Sequence, residues 1–154
     1  MKNDQSFEVE ESELPYREMI AWLSLIAMAT TYGPYFTIVV VNSLRGEPLP
    51  NFRQLGLFAV ASVVQMLILG AGHLWLRGRF PVEARTPPDE RDRAIKQRSI
   101  SLAYHLLVGG MVVVGCVMPF RSGGWEIVNA TLFTIVLAEV VHYGAVVVGY
   151  RSQS

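Results

Sequence analysis

The chain has 154 residues, of which 51% are hydrophobic and 17% charged, with equal numbers of basic and acidic side chains. Zero net charge gives no basis for binding a nucleic acid. The single cysteine, Cys116, excludes an intrachain disulfide and a cysteine-based metal cluster. The charges stand almost entirely between long apolar stretches rather than within them, whereas the helices of a soluble domain would carry charge on the face that meets water.

Four apolar stretches dominate the chain. They cover residues 20–41, 55–76, 100–118 and 126–149. A helix crosses the hydrocarbon core of a bilayer, about 30 Å thick, with roughly 20 mainly apolar residues. We therefore predict an all-α integral membrane protein, in which a bundle of four helices within residues 20–150 contacts the lipid bilayer. An acidic tail, residues 1–19, precedes the bundle.

The basic residues are divided unequally between the two sides of the membrane. Ten of the thirteen fall in the N-terminal tail, in the loop 77–99 or after the fourth span. Cytoplasmic segments carry an excess of lysine and arginine. This distribution predicts that both termini and the loop 77–99 lie in the cytoplasm.

The first span contains Gly33 and Pro34 near its middle. Proline removes one backbone hydrogen bond and clashes with the preceding turn, so this pair predicts a kink. A kink at this place would serve either the packing of the helices or a hinge motion.

The loop 77–99 contains the signal of a helix start. Thr86 is followed by two prolines and a carboxylate, which is typical of an N-cap and a first helical turn. Opposite charges stand four residues apart in the pairs Asp89–Arg93 and Asp92–Lys96. We predict one helix over residues 87–118, whose first turns extend into the cytoplasm. Its start offers a charged interaction surface made of Asp89, Glu90, Arg91, Asp92 and Arg93.

Ionisable side chains within the spans define a candidate site. They come from the second, third and fourth spans: His73, His105, Glu139 and His142. Counted from the predicted inner edge at 1.5 Å per residue, they lie roughly 5 to 16 Å deep on one side of the membrane. A charged group at the centre of a span costs about 2.5–3.5 kcal/mol on insertion scales. We therefore expect Glu139 to be protonated, paired, or bound to a cation.

Several kinds of chemistry fit this site. Three imidazoles and a carboxylate can bind a divalent transition metal, and a neutral imidazole can relay protons. His105 and His142 match in depth and could also ligate haem b. Plainer roles are a headgroup contact for His73, an interhelical hydrogen bond for His105, and a neutral hydrogen-bonded pair for Glu139 with His142. A di-iron centre would need a second Glu-x-x-His pair, which the chain lacks.

The run Asp-Glu-Arg-Asp at residues 89–92 is followed by Ile95, and Ser101 and Tyr104 open the third span. This pattern resembles a signature of small four-span prokaryotic membrane proteins of unknown function. The resemblance implies a multi-pass protein of the prokaryotic cytoplasmic membrane and implies no activity.

Two functions are favoured at this stage, and a membrane enzyme that acts on lipid at the inner leaflet is a third possibility. The first is an accessory or regulatory subunit that docks a protein partner on the charged start of the third helix. The second is a transporter or redox component that handles a metal or protons at the candidate site. No nucleotide-binding P-loop and no Gly-x-Ser-x-Gly elbow occurs, so an enzymatic activity has no nucleophile to support it. Small residues at Ala130, Thr134 and Ala138 favour close helix packing and a homo-oligomer.

Overall fold

The computed structural model describes residues 15–46 and 51–152. Most of the acidic tail, residues 1–14, lies outside the described residues. Within them the chain is all-helical, which confirms the predicted fold class. The four long helices are α1 (Tyr16–Leu44), α2 (Phe52–Arg79), α3 (Glu90–Val112) and α4 (Gly124–Arg151). Each is long and apolar enough to cross a membrane, α3 together with the short turns that follow it, so the chain is a multi-pass membrane protein.

The helices extend beyond the apolar stretches on which the spans were predicted. α1 has 29 residues, and α2 and α4 have 28 each. At 1.5 Å per residue these helices are about 42 Å long, which matches a bilayer together with its headgroup regions. Except for Glu126 and Glu139, the charged residues of these helices lie in the additional turns, so they stand at the level of headgroups and water.

The third helix begins later than the sequence predicts. Its N-cap is Asp89 rather than Thr86, and its first residue is Glu90. Thr86 and the residue after it both precede a proline, which disfavours helical backbone angles. Asp89 and Asp92 then form a capping box, in which each side chain accepts a hydrogen bond from the backbone N–H of the other residue, at 2.6 and 3.3 Å. The Thr86 hydroxyl instead donates to the carbonyl of Val82 at 2.9 Å.

The end of the third helix departs from regular α geometry. α3 continues into a wider π-helical turn, Val113–Val117, and a tight 3-10 turn, Met118–Phe120. Pro119 lies within the 3-10 turn and supplies no N–H donor, so the α-helical hydrogen-bond ladder cannot continue through it. The helix therefore extends to the predicted end of the third span, but its last turns are π-helical and 3-10 rather than α-helical.

Helix contacts follow the order α2, α1, α4, α3. α1 packs against α2 and α4, and α4 packs against α1 and α3. Over residues 15–46 and 51–152, no Cα atom of α2 lies within 8 Å of one in α3. The helical bundle is thus confirmed, but it is open, with α2 and α3 at its two edges.

Glycines and small residues allow α3 and α4 to approach closely. A Cβ atom at Gly149 would lie 2.8 Å from Cγ2 of Ile95, which is closer than van der Waals contact allows. A Cβ atom at Gly110 would overlap the Cγ2 methyl group of Thr134. Membrane helices associate through such close packing, because lipid chains are as apolar as the helix surfaces. The predicted role of small residues in packing therefore applies to this interface.

Packing directly after the proline holds α1 between its neighbours. α1 continues through Pro34, and Tyr35 is buried. The Tyr35 ring lies edge-on to Phe58 of α2, with 5.2 Å between ring centres. Its hydroxyl donates to Oδ1 of Asn129 in α4 at 3.2 Å. One side chain therefore links three helices near the middle of α1.

We expect Gly110→Ala to lower the free energy of unfolding by roughly 1–3 kcal/mol, because the new methyl group overlaps a threonine side chain that cannot move freely. Thr134 is β-branched, and its hydroxyl bonds the Ala130 carbonyl at 2.8 Å. Gly109→Ala is the matched control, since a Cβ atom there would meet no atom within 4 Å outside the adjacent residues and backbone of its own helix. Unfolding in detergent, followed by circular dichroism, measures both variants. Equal stabilities for the two variants would contradict this account of the interface.

Candidate functional site

The end of the bundle where α1 and α3 begin and α2 and α4 end is called the basic end here. Both ends of the described chain reach it, because α1 contacts α4 there through Glu18 and Arg151. The predicted cytoplasmic side is this end, and that orientation stays a prediction. Most basic residues of the described chain stand here, whereas the opposite end has only Arg45, Arg53 and Arg121.

The carboxylate of Asp92 joins three helices at the basic end. Its Oδ2 atom lies 3.1 Å from Nε of Arg17 in α1. Its Oδ1 atom accepts a short hydrogen bond from the hydroxyl of Tyr150 in α4. The Asp92 side chain is 18% exposed and that of Arg17 is 33% exposed, so water screens this ion pair only in part. Asp92 thus holds α3 to the other two helices.

A second carboxylate, that of Glu18 in α1, is buried where α1 packs against α4. Only 4% of its side chain is exposed. Its Oε1 atom accepts hydrogen bonds from Nε of Arg151 at 3.2 Å and from Nε1 of Trp22 at 3.3 Å. The guanidinium carbon of Arg151 lies 5.2 Å from the centre of the Trp22 ring, within the range of a cation–π contact. These partners offset the cost of burying the charge.

Arginines complete the network through backbone carbonyls. Arg17 donates from Nη2 to the carbonyl of Thr86 at 3.2 Å, which fastens the turn before α3 to α1. Arg91 donates from Nη2 to the carbonyl of Tyr150 at 3.2 Å and lies over the ring of that tyrosine. The last turn of α4 leaves carbonyls without helical partners, and Arg91 binds one of them.

The five residues of the predicted interaction surface therefore divide into two groups. Asp89 caps α3, and Arg91 and Asp92 bond α1 or α4. The side chains of Glu90 and Arg93 are exposed and make no such bond within the part of the chain that the structure describes. The ion pairs expected four residues apart, Asp89–Arg93 and Asp92–Lys96, do not form there, because both aspartates bond other groups.

The structure separates the histidines on α2 and α3. Both His73 and His105 are exposed, and each ring bonds its own helix through Nδ1: to the Leu69 carbonyl at 2.8 Å and to the Ser101 carbonyl at 2.6 Å. α2 and α3 lie at opposite edges of the bundle. One chain therefore does not bring these two imidazoles to a shared ligand.

The other two members of the predicted site stand on one helix. Glu139 is exposed and His142 is half-buried, one turn apart on α4. Among the described residues, no group of three histidine, cysteine, aspartate or glutamate side chains could hold a metal ion. The described part of one chain therefore does not bring together the predicted metal or haem site, which consists of His73, His105, Glu139 and His142. That site stays a prediction.

A polar contact lies between α1 and α2 within the membrane. Thr31 donates its hydroxyl hydrogen to Oε1 of Gln65 at 2.7 Å. The amide nitrogen of Gln65 is buried and has no partner in the described chain. Hydrogen bonds of this kind hold membrane helices together. Gln65, in the middle of an apolar span, thus serves as a hydrogen-bonding contact between α1 and α2.

Sequence reasoning missed the residues of α1 and α4 that complete the basic end: Arg17, Glu18, Tyr150 and Arg151. The predicted topology nevertheless contained the information needed to find two of them. An acidic residue at the start of the first span and a basic residue at the end of the fourth must lie on the same side of the membrane. Opposite charges at matching ends of two helices would have identified Glu18 and Arg151 as candidate partners.

Comparison of the chain with protein-family models, with curated proteins and with solved structures gave no match. The resemblance to small four-span prokaryotic membrane proteins therefore stays a prediction, and the site must be interpreted from its own geometry.

We expect Asp92→Ala to lower the free energy of unfolding by about 1–3 kcal/mol, because it leaves Arg17 and Tyr150 without their shared acceptor and removes half of the capping box. Glu90→Ala is the matched control, an exposed acidic residue in the same turn, and should change stability by less than about 0.5 kcal/mol. Unfolding of both variants in the same detergent measures the difference. A similar loss in both would show that Asp92 does not connect the helices.

We expect protein purified without a histidine tag to have a substoichiometric metal content and no Soret absorption band, because one chain does not group the four side chains. Plasma mass spectrometry and a visible spectrum measure both quantities. The control is the Glu139→Ala/His142→Ala double variant, which should give the same values. Stoichiometric metal or haem that the double variant loses would show instead that a site forms, and that more than one chain builds it.

Proposed function

We propose that this protein is an accessory or regulatory subunit of the prokaryotic cytoplasmic membrane, with both termini cytoplasmic, that docks a protein partner on the start of α3. The observation that carries the proposal is the division of residues 89–93. Asp89, Arg91 and Asp92 hold the helix start to the bundle, while Glu90 and Arg93 project outward. A surface that is already ordered loses little conformational entropy when a partner binds.

The position of α3 supports this proposal. Ile95 and Ser99 are buried on the side that packs against α4. The rest of the helix start is uncovered, because α3 lies at the edge of the bundle. Its exposed polar residues after Arg93 are Lys96, Gln97 and Arg98. The first turns of α3 therefore have one packed side and one charged outer side.

The charge of the outer side indicates the chemistry of the partner. Among its exposed charges, Arg93, Lys96 and Arg98 outnumber Glu90. A partner segment of net negative charge would complement this surface. A single exposed ion pair contributes at most about 1 kcal/mol, so such a partner must engage several of these charges together.

The second candidate function is the handling of a metal or protons within the membrane. It is supported by Glu139 and His142, which make no hydrogen bond or ion pair in the described chain and stand one turn apart on α4. It would further require His73 and His105 to approach them, and these lie on the edge helices. Variants distinguish the two functions. Glu139→Ala and His142→Ala would abolish metal or proton handling, and charge reversal at Glu90 and Arg93 would abolish partner docking.

We expect a photo-crosslinking amino acid in place of Gln97 to form one discrete adduct with another protein in living cells. Gln97 is exposed one turn after Arg93, so the label reports on the surface without replacing its charges. The double variant Glu90→Arg/Arg93→Glu keeps the net charge but exchanges its signs, and it should reduce the adduct roughly tenfold by placing like charges together.

Controls use the opposite end of the bundle. A crosslinker at Arg53, which is also exposed, should not form this adduct, and Arg53→Glu should leave the Gln97 adduct unchanged. Adducts with lipid alone, or with a second copy of this chain alone, would refute docking of a separate protein. So would an adduct of unchanged yield in the charge-exchanged variant.

A further inference from the structure

The carboxyl group of Glu139 is exposed in the middle of a membrane-spanning helix. Glu139 lies roughly 22 Å along the axis from the start of α4 and 18 Å from its end. Ionisable side chains at this depth nearly always face the interior of a bundle or pair with another group. Neither neighbour of α4 covers Glu139, although the preceding residue, Ala138, is buried. The exposed carboxyl group therefore requires a partner from outside the single chain.

The described part of the chain offers no such partner. In the described helices, lysine and arginine stand near the helix ends rather than at this depth. His73 and His105 each bond a carbonyl of their own helix. Within residues 15–46 and 51–152, Glu139 makes no hydrogen bond and no ion pair. A second molecule must therefore cover the side of α4 that carries Glu139.

His142 also makes no hydrogen bond within the described chain. Its Nδ1 atom is buried inside the described chain, so Nε2, which is accessible and makes no hydrogen bond there, is the ring nitrogen that a second molecule can reach. A carboxylate accepts hydrogen bonds, and an imidazole carries at least one N–H donor. Glu139 and His142 are three residues apart, so they project from neighbouring positions on the same side of α4. The same surface therefore carries an unsatisfied acceptor and an unsatisfied donor.

We propose that two copies of the chain pair through this side of α4, with Glu139 of each copy bonding His142 of the other. Two-fold symmetry places the same patch on both copies, so one contact occurs twice. Both copies have the same orientation in the membrane, and their α4 helices run parallel. The two residues then differ in depth by three helical positions, about 4.5 Å, which extended glutamate and histidine side chains can bridge.

Self-complementarity is the reason to choose a second copy as the occupant. A different protein would need a donor placed opposite Glu139 and an acceptor placed opposite His142. A second copy supplies both from the same helix. The surrounding surface is apolar, with Ile135 45% and Val128 37% exposed on the same side of α4. This proposal concerns the middle of the membrane and does not depend on docking at the start of α3.

Cysteine crosslinking in membranes tests the geometry with Glu139 and His142 intact. Cys116→Ala removes the native thiol, and one cysteine is then placed at position 135 or, as a matched control, at position 137. Ile135 shares the side of Glu139, whereas Leu137 is exposed on another side of α4. A disulfide needs the two Cα atoms within about 7 Å, so Ile135→Cys should give a dimer and Leu137→Cys should not. The reverse result, or no dimer from either, would overturn the proposal.

Exchange of the two side chains tests the bond itself. Energy transfer between labelled copies, measured as the protein is diluted in lipid vesicles, gives the dissociation constant of the dimer. We expect Glu139→His and His142→Glu each to weaken the dimer roughly tenfold, because each variant opposes two like groups. The double exchange Glu139→His/His142→Glu restores the complementary pair and should restore the dimer. Glu126→Gln, near the start of α4, is the control that should change nothing.

Three outcomes would overturn the proposal. A chain that stays monomeric at every dilution has no such interface. A dimer that is indifferent to both single variants uses other contacts. A double exchange that is as weak as the single variants, in protein with native helix content, shows that Glu139 and His142 do not bond each other.

Discussion

Apolar helices gain little by leaving lipid for one another, and this constraint governs the structure. Association must come from close packing and from polar contacts. The α3–α4 interface uses both. Its helices approach where Gly110 meets Thr134 and Gly149 meets Ile95, and they are fastened at the basic end where Asp92 receives the Tyr150 hydroxyl. The same carboxylate bonds Arg17, so one side chain fixes the position of α3 against both α1 and α4.

The distribution of polar contacts distinguishes two candidate sites in the molecule, the basic end and the middle of α4. At the basic end the carboxylates of Glu18 and Asp92 are paired within the described chain, and the exposed charges at the start of α3 face outward into water. In the middle of α4 the reverse holds, because Glu139 and His142 have no hydrogen-bond partner among the described residues, at a depth where water is scarce. Exposed charges in water suit reversible docking of a partner. An unsatisfied carboxyl group in lipid instead requires a permanent partner, which the proposed second copy would provide.

Individual residues show how far sequence reasoning reached. The four spans were predicted correctly because their length and apolarity are local properties. The start of α3 was misplaced by three residues, since the effect of consecutive prolines on Thr86 outweighs its preference for the N-cap position. The ion pairs expected at Asp89–Arg93 and Asp92–Lys96 assume an isolated helix, whereas Asp92 found Arg17 and Tyr150 on other helices. The grouping of His73 with His105 assumed a closed bundle, and the open order α2, α1, α4, α3 separates them.

The sequence by itself determined the all-helical class, the number of membrane spans, and the presence of a carboxylate and an imidazole deep within the fourth span. These properties follow from the transfer free energy of each residue, which depends on the local chain. Only the tertiary structure decided the order of the helices, the sides of α4 that its neighbours cover, and the partners of Asp92 and Glu18. A span that is apolar all round has no periodicity to indicate its rotation. Rotation is set by contacts between helices, and those contacts decide which polar groups are paired and which face outward.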